Sequence, residues 1–372
     1  MNDTAAPFID GAACDHAETR GELRELINPA TEEISGKWLA ATSADVDRAV
    51  RGARRAFEIG WRDLAPGKRA DLLFAIAASI RTHAEELAQL ESRNIGKPIA
   101  DARDEVALGA RVFEYYAGAI GKFCGQTIPV ARGGFDFTLR EPHGVVAAIV
   151  PWNFPFPIAC WKVAPAIAAG NCVVLKPASL SPLTSLRLAR IAFDAGLPAG
   201  VLQVVPGDGN TIGDALIQHP LVRKISFTGS TAIGTHIMQL AAPRLQRVSL
   251  ELGGKSPNII YADADWELAA RTSPLSVFGN AGQDCCARSR IFVEARVFDR
   301  FVARFVEATS SLVVGDPLSE KTQVGPLVSR AQREHVEAFL SDTTGRILCG
   351  GTRPGGPGYF LQPAIVVDVA ID

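Results

Sequence analysis

Val145-Val146-Ala147-Ala148-Ile149-Val150, Cys172-Val173-Val174-Leu175, Val201-Leu202-Gln203-Val204-Val205 and Ile225-Ser226-Phe227 are the stretches on which the fold turns. Each is short and mostly apolar, and each is followed by a segment of helical character. That alternation predicts parallel strands buried on both faces and joined by right-handed crossovers. The intervening helices are expected around 160–169, from Pro182 to Gly196 with Ser181 as cap, and over 211–217. A helix over 232–240 and strands over 248–250 and 259–261 extend the pattern. The class is α/β: a doubly wound, Rossmann-like sheet, which binds its ligand at the carboxyl ends of its strands.

Upstream, apolar periodicity predicts a helix over 43–57 capped by Ser43, a longer one over 68–93 and a third over 101–120. Residues 135–140 alternate as a half-exposed strand would. Downstream, a second α/β pattern begins near Asp265 and includes strands at 291–293 and 365–367. A chain of 372 residues exceeds one ordinary core. The reading divides it into residues 1–250 and 251–372.

Composition narrows the function classes. Hydrophobic residues make up 47%, charged residues 21%, and the net charge is -2. No basic excess exists to neutralise a nucleic acid or an anionic membrane, so neither partner is expected. The stretch 154–175 is apolar but is broken by Pro155, Pro157, Lys162 and Pro165, unlike a membrane span. The first ten residues have no apolar signal core, and the seven cysteines are an odd number, which together suggest reduced thiols in a cytoplasmic protein. There is no CxxC and no HxxxH, so no metal site is expected.

Several features could carry chemistry. Phe227-Thr228-Gly229-Ser230-Thr231-Ala232-Ile233-Gly234 follows a strand and opens a helix, where free N–H groups and close backbone approach suit a pyrophosphate; an ordinary tight turn has the same look. Gly207-Asp208-Gly209-Asn210-Thr211-Ile212-Gly213 is a weaker second loop. Gly253-Gly254-Lys255-Ser256 ends like a P-loop but has Ser249 where the first glycine belongs. Cys285, in Gly282-Gln283-Asp284-Cys285-Cys286, sits on a turn before a strand, where a thiolate nucleophile can face a cleft; the other six cysteines are read as small core residues. Glu251 closes a strand ahead of two glycines, and Asn153 lies just past the strand 145–150 between two prolines. The former suits a general base and the latter an oxyanion donor, though a solvated glutamate and an asparagine turn are the simpler accounts.

Taken in order, Asn28-Pro29-Ala30-Thr31, Pro151-Trp152-Asn153-Phe154-Pro155, Lys176-Pro177-Ala178, Phe227-Thr228-Gly229-Ser230, Glu251-Leu252-Gly253-Gly254-Lys255-Ser256-Pro257, Gly282-Gln283-Asp284-Cys285 and Val324-Gly325-Pro326-Leu327 resemble the aldehyde dehydrogenase superfamily. The resemblance covers nearly the whole chain. It implies an NAD(P)-binding domain over 1–250 with a protruding oligomerisation segment over about 122–142. A catalytic domain over 251–372 carries the cysteine. Cys285 then resembles the nucleophile, Glu251 the base that activates water and Asn153 the oxyanion donor. Ile149, Trp152, Lys176, Ser179, Gly209, Phe227, Gly229, Ser230, Gly234 and Leu252 match cofactor-binding positions. Phe154, Trp161 and Asp284 match substrate-binding ones. The implied partners are a small aldehyde and, with a full family C-terminus, a homodimer or homotetramer.

Departures from the family pattern are informative. Ser179 stands where members that prefer NAD often carry a glutamate, which leaves NAD or NADP open. Asp284 beside the nucleophile suggests a cationic aminoaldehyde, with an Asp284–Arg288 ion pair as the plainer account. The chain ends soon after Leu361-Gln362-Pro363, where the family continues, so an incomplete catalytic domain is expected. It would leave the strand over 365–367 without its downstream partners. Rival readings are a coenzyme-A-acylating enzyme, a thiol esterase, and a catalytically impaired fragment or non-catalytic binding protein of the same fold.

Overall fold

The computed structural model describes residues 4–15, 19 and 21–369. The chain forms two compact units. One comprises Met1–Arg24, Lys37–Leu87 and Arg103–Glu251; the other comprises Glu25–Gly36, Ala88–Ala102 and Leu252–Asp372. The division is therefore not a single cut, because two early segments group with the C-terminal part.

Among the described residues before Gly144 lie strands β1 (Phe8–Ile9), β2 (Ala12–Ala13), β3 (Leu23–Ile27), β4 (Ile34–Leu39), β5 (Thr127–Ile128) and β6 (Asp136–Phe137). The helices there are α1 (Ser43–Ala56), α2 (Pro66–Thr82), α3 (Ala84–Ile95) and α4 (Ile99–Ala119). Several boundaries differ from those read in the sequence. Thr42, not Ser43, caps α1: its hydroxyl accepts from Asp45 N–H, and the Asp45 carboxylate accepts from Thr42 N–H at 2.7 Å, a reciprocal capping box. The helix expected over 68–93 breaks at His83 (φ -100°, ψ 16°), whose ring nitrogen Nδ1 lies 2.8 Å from the Ser79 carbonyl. The strand expected over 135–140 shrinks to the two exposed residues of β6.

In the first unit, β7 (Val145–Ile149), β8 (Cys172–Lys176), β9 (Leu202–Val204), β10 (Val222–Gly229) and β11 (Arg247–Leu252) join β1 and β2 in one sheet, in the order β11-β10-β7-β8-β9-β1-β2. β10, β7, β8 and β9 run parallel, as expected. Alternate residues of a strand point to opposite faces, yet all five residues of both β7 and β8 are buried. Both faces must therefore be covered. Helix α1 and helix α5 (Pro155–Ala168) pack on β7 and β8, and α6 (Leu183–Asp194) packs on β9. Pro182 rather than Ser181 precedes α6 as its cap, and the helix expected over 211–217 opens instead as a wide π turn over Gly209–Gly213 before α7 (Asp214–Gln218).

Strand order reverses between β8 and β10, which flank β7, so the crevice of this doubly wound sheet opens at the carboxyl end of β7. Helix α4 packs on α5 through Gly109, where an added Cβ would stand 2.6 Å from the Phe156 ring and 3.0 Å from Cys160 Sγ. From Gly121 to Glu141 every residue is exposed, including the apolar Phe123, Phe135 and Leu139.

The second unit pairs β12 (Pro257–Ile260) in parallel with β13 (Arg290–Val293), and β14 (Arg346–Cys349) antiparallel with β15 (Ile365–Val367). One edge of β15 is thus paired within the chain. Ile260, Ala270, Phe301, Phe305 and Ile365 form its core, with contributions from α9 (Trp266–Phe278) and α10 (Phe298–Ser310). The Asn28–Thr31 turn belongs here as well: Pro29 C=O accepts from Tyr359 N–H at 2.8 Å, and the Glu32 carboxylate takes Gly358 N–H at 3.1 Å and Arg330 at 2.8 Å. Arg330 opens α11 (Arg330–Asp342). No helix of the described residues is long and apolar enough to cross a membrane.

The α4–α5 contact yields a direct test. Gly109→Leu should destabilise the protein by about 1–3 kcal/mol through overpacking, read as a lowered urea midpoint. An unchanged midpoint would mean the two helices separate at no cost.

Candidate active site

The register of the parallel strands places three of the sequence candidates in one row. Ile149, the last residue of β7, stands opposite Lys176 of β8 on one side and Phe227 of β10 on the other. Beyond this row the chain leaves β7 through Val150 and Pro151 into Trp152, Asn153 and Phe154, all three half-buried, and Pro155 then starts α5. Proline suits that first helical position, because its missing N–H would have had no partner there. Asn153 is thereby held just past the strand end.

The residues at this edge fit a dinucleotide. Ser230 caps α8 (Thr231–Ala241), and its hydroxyl accepts from Ile233 N–H. The first turn of α8 is exposed, and its N–H groups and positive potential suit a pyrophosphate. Gly229 lies over Phe227, whose ring would stand 2.4 Å from an added Cβ, so a larger residue there must push that ring aside. Gly234 is buried within the first turns of α8. Gly209, by contrast, has open space around the position of a Cβ, so nothing local requires glycine. Lys176 is only 5% exposed, and its amine donates to the Pro177 carbonyl at 3.2 Å. Burial pulls its pKa down to about 8, against the opposing pull of Asp208. A buried ammonium at a strand end, with one backbone acceptor, suits the hydroxyls of a ribose. The Ser179 hydroxyl donates to the Gly207 carbonyl at 3.1 Å.

Glu251 is exposed near the end of β11, a strand tied to β10 by Lys224 donating to the Ser249 hydroxyl at 2.7 Å. The sequence reading passed over Lys162. Its amine, on α5, donates to Ser226 of β10 at 3.0 Å, and burial lowers its pKa to about 8 while the charge of Glu251 opposes that shift. The signal was present: a lysine inside an otherwise apolar run.

In the second unit the loop before Cys285 is strained. Asn280, Ala281 and Gly282 have φ of 51°, 56° and 74°, a left-handed run that costs a non-glycine residue about 1 kcal/mol or more. Side chains hold it. Asn280 Nδ2 donates to the Gln283 carbonyl at 3.3 Å, Gln283 Nε2 returns a bond to the Asn280 carbonyl at 3.0 Å, and Gln283 Oε1 accepts from Val328 N–H at 3.0 Å. The Val324–Leu327 segment thus leads into an anchor for the loop. Gly254 passes close to the Cys285 carbonyl, 3.3 Å from where a Cβ would lie, and Leu252 beside it is half-buried.

Cys285 is partly buried, and its Sγ lies 3.7 Å from Cys286 Sγ. Burial, the Cys286 thiol and Asp284 together push its pKa up to about 11, so the group rests as a thiol. Asp284 accepts from Cys286 N–H at 2.8 Å, and among the described residues it makes no ion pair with Arg288. Asp284, Cys285 and Cys286 are also the one cluster among the described residues whose ligand atoms could gather on a metal, but three successive residues wrap a tetrahedral ion poorly. Not all other cysteines are core residues: Cys14, Cys160 and Cys172 are buried, whereas Cys124 and Cys286 are exposed.

Comparison with known proteins identifies the family. Residues 16–372 match the aldehyde dehydrogenase family. An aldehyde dehydrogenase of Enchytraeus buchholzi is 44% identical over 94% of this chain and 72% of its own length. One of Aspergillus niger is 42% identical over 98% of this chain and 74% of its own. The NAD+ complex of aldehyde dehydrogenase from Bacillus cereus superposes with a TM-score of 0.96 at 39% identity, covering 99% of this chain and 76% of that one.

Lys176 carries the clearest energetic consequence. Its depressed pKa means the buried charge is a burden below pH 8, shrinking as pH rises from 8 towards the unfolded value of about 10.5. Lys176→Met should therefore stabilise the protein by about 1–3 kcal/mol at pH 7, an advantage that fades by about pH 10. Denaturant melts of both proteins at the two pH values measure it. A variant less stable at pH 7 would refute the assignment.

Proposed function

The chain belongs to the aldehyde dehydrogenase family, and from that we propose that it oxidises an aldehyde to the carboxylic acid with NAD or NADP, through a covalent intermediate on Cys285. The match over residues 16–372 carries the reading. The strained, clamped loop that presents Cys285 supports it, since strain persists where function demands a fixed geometry.

Lys176, Gly229 and Ser230 would hold the adenosine and pyrophosphate parts of the cofactor, with Ile149, Trp152 and Phe227 along the crevice and Leu252, Gly209 and Gly234 as further contacts. When bound, the nicotinamide supplies the acceptor for the hydrogen and electron pair leaving the aldehyde carbon. Cys285 Sγ gives up its proton and attacks the carbonyl carbon. The Asn153 amide and the Cys285 N–H stabilise the resulting oxyanion, each such donor being worth about 3 kcal/mol. An acyl thioester remains on Cys285 once the carbon is oxidised. Glu251 takes a proton from water, which attacks the thioester; the acid leaves and the thiol is restored. Lys162, whose amine burial draws down to about 8 against the pull of the Glu251 charge, lies within the electrostatic reach of that carboxylate. A water-activating Glu251 argues against transfer to coenzyme A. Phe154 and Trp161 flank the path of the substrate. The exposed segment around β5 and β6, rich in uncovered aromatic residues, serves as the assembly surface.

Ser179 has no charge with which to repel a 2′-phosphate, so both cofactors are accepted. Ser179→Glu should weaken NADP at least about tenfold relative to NAD, through like-charge repulsion. Equal loss of both in a fluorescence titration would place the discrimination elsewhere.

Glu251→Gln should release about one equivalent of reduced cofactor per site and then stall, with an acyl adduct on Cys285 visible by mass spectrometry. Cys285→Ser should abolish turnover, while Cys286→Ser should reduce it only mildly. Reversal of the two cysteine phenotypes would exclude Cys285 as nucleophile.

A further inference from the structure

Helix α4 has two apolar faces. Val106, Ala110, Phe113 and Ala117 are buried in the unit. Around the helix, Leu108, Arg111, Val112, Tyr115 and Tyr116 recur at i, i+3, i+4, i+7 and i+8, the spacing of a single stripe, and with Trp161 of α5 they line a cavity of about 390 Å³. That volume suits a small ligand. Leu108 is 38% exposed, Tyr115 70% and Trp161 50%, although solvent-facing helix positions ordinarily carry polar groups. The close approach at Gly109 brings Trp161 to this stripe. The Tyr115 and Tyr116 rings meet edge to face at 5.1 Å.

Arg111 is the one charged residue of the lining. Its neighbours on α4 are paired: Glu114 holds Arg81 by both carboxylate oxygens, and Arg103 holds Glu85. The Arg111 guanidinium takes part in none of the ion pairs or hydrogen bonds among the described residues. A planar, permanently charged fork against aromatic rings is a carboxylate receptor. Trp161 follows Phe154 by seven residues, two helical turns, so the cavity lies about 10 Å along α5 from the Asn153 end.

We infer that this cavity receives the far end of the substrate, and that the substrate is an aldehyde bearing a carboxylate at the end of an apolar spacer. Arg111 binds the carboxylate, and Tyr115, Tyr116 and Trp161 pack along the spacer. The inference rests on the proposed aldehyde oxidation and sets its substrate class. It also reverses the preference for a cationic aldehyde that Asp284 suggested.

Two measurements test it. Steady-state kinetics should compare ω-carboxy, ω-amino and unsubstituted aldehydes of matched and increasing length. The ω-carboxy series should have the highest kcat/KM, through a lower KM. Arg111→Gln should reduce the ratio of carboxylated to unsubstituted kcat/KM by about 30-fold, Arg111→Lys should retain part of it, and Arg111→Glu should favour the ω-amino series. Calorimetric titration reads the cavity without turnover. An α,ω-dicarboxylate should bind about tenfold tighter than the matched monocarboxylate, and Arg111→Gln should erase the difference. If no aldehyde is oxidised yet dicarboxylate binding still depends on Arg111, the oxidation reading fails and the carboxylate site stands. A wild-type preference for amino or unsubstituted aldehydes, or dicarboxylate binding indifferent to Arg111, would overturn the inference.

Discussion

The pairing of β7 with β8 on one side and β10 on the other closes both edges of the central strand, and the helices packed on it leave its side chains no face toward water. Polar groups can therefore reach ligand only where the strands stop. Ile149 and Lys176 end their strands level with Phe227, two residues before β10 stops, so the Trp152–Phe154 turn and the Gly229–Ser230 helix start emerge at the same edge. The position of the candidate site follows from the burial of its scaffold.

That burial also sets the chemistry. Lys176 and Lys162 sit where water is scarce, and both amines are drawn down to about 8. The Cys285 thiol moves the other way, to about 11. All three shifts favour the neutral form, as desolvation must. Burial thus makes the charged form of each group the costly one, and an oppositely charged ligand can offset that cost. The left-handed run at Asn280, Ala281 and Gly282 expresses the same trade in backbone terms, with local cost accepted to fix where a side chain points.

Much of this was legible in the sequence because two-sided burial leaves an unmistakable mark, an unbroken apolar run of strand length. The parallel strands could be read for that reason. The two-residue strands β1 and β2 could not, since they exist only through pairing across the chain, Phe8 with Val204. The break at His83 carries no glycine or proline; a side-chain bond to Ser79 replaces them. Cys285, Glu251 and Asn153 were visible through their motifs. Lys162 was seen only as an interruption, and Gln283 only as a letter in a motif, because a clamp such as its bond to Val328 spans 45 residues. Arg111 was silent for a different reason: an exposed arginine on a helix is ordinary until the aromatic company around it is known.

The Asn28–Glu32 turn meets Gly358 and Tyr359 across more than three hundred residues. A synthesising chain makes that turn some three hundred residues before its partner. Closing so wide a loop carries an entropic cost of about 5 kcal/mol, which the contacts of the second unit must offset together rather than one at a time. The sheet of the first unit draws its parallel strands from residues 145–229, so it has most of its partners in hand while the second unit still waits. Assembly is thereby ordered in time: a parallel sheet able to form early, and a Cys285 loop whose clamp through Gln283 can close only after Val328 has been made.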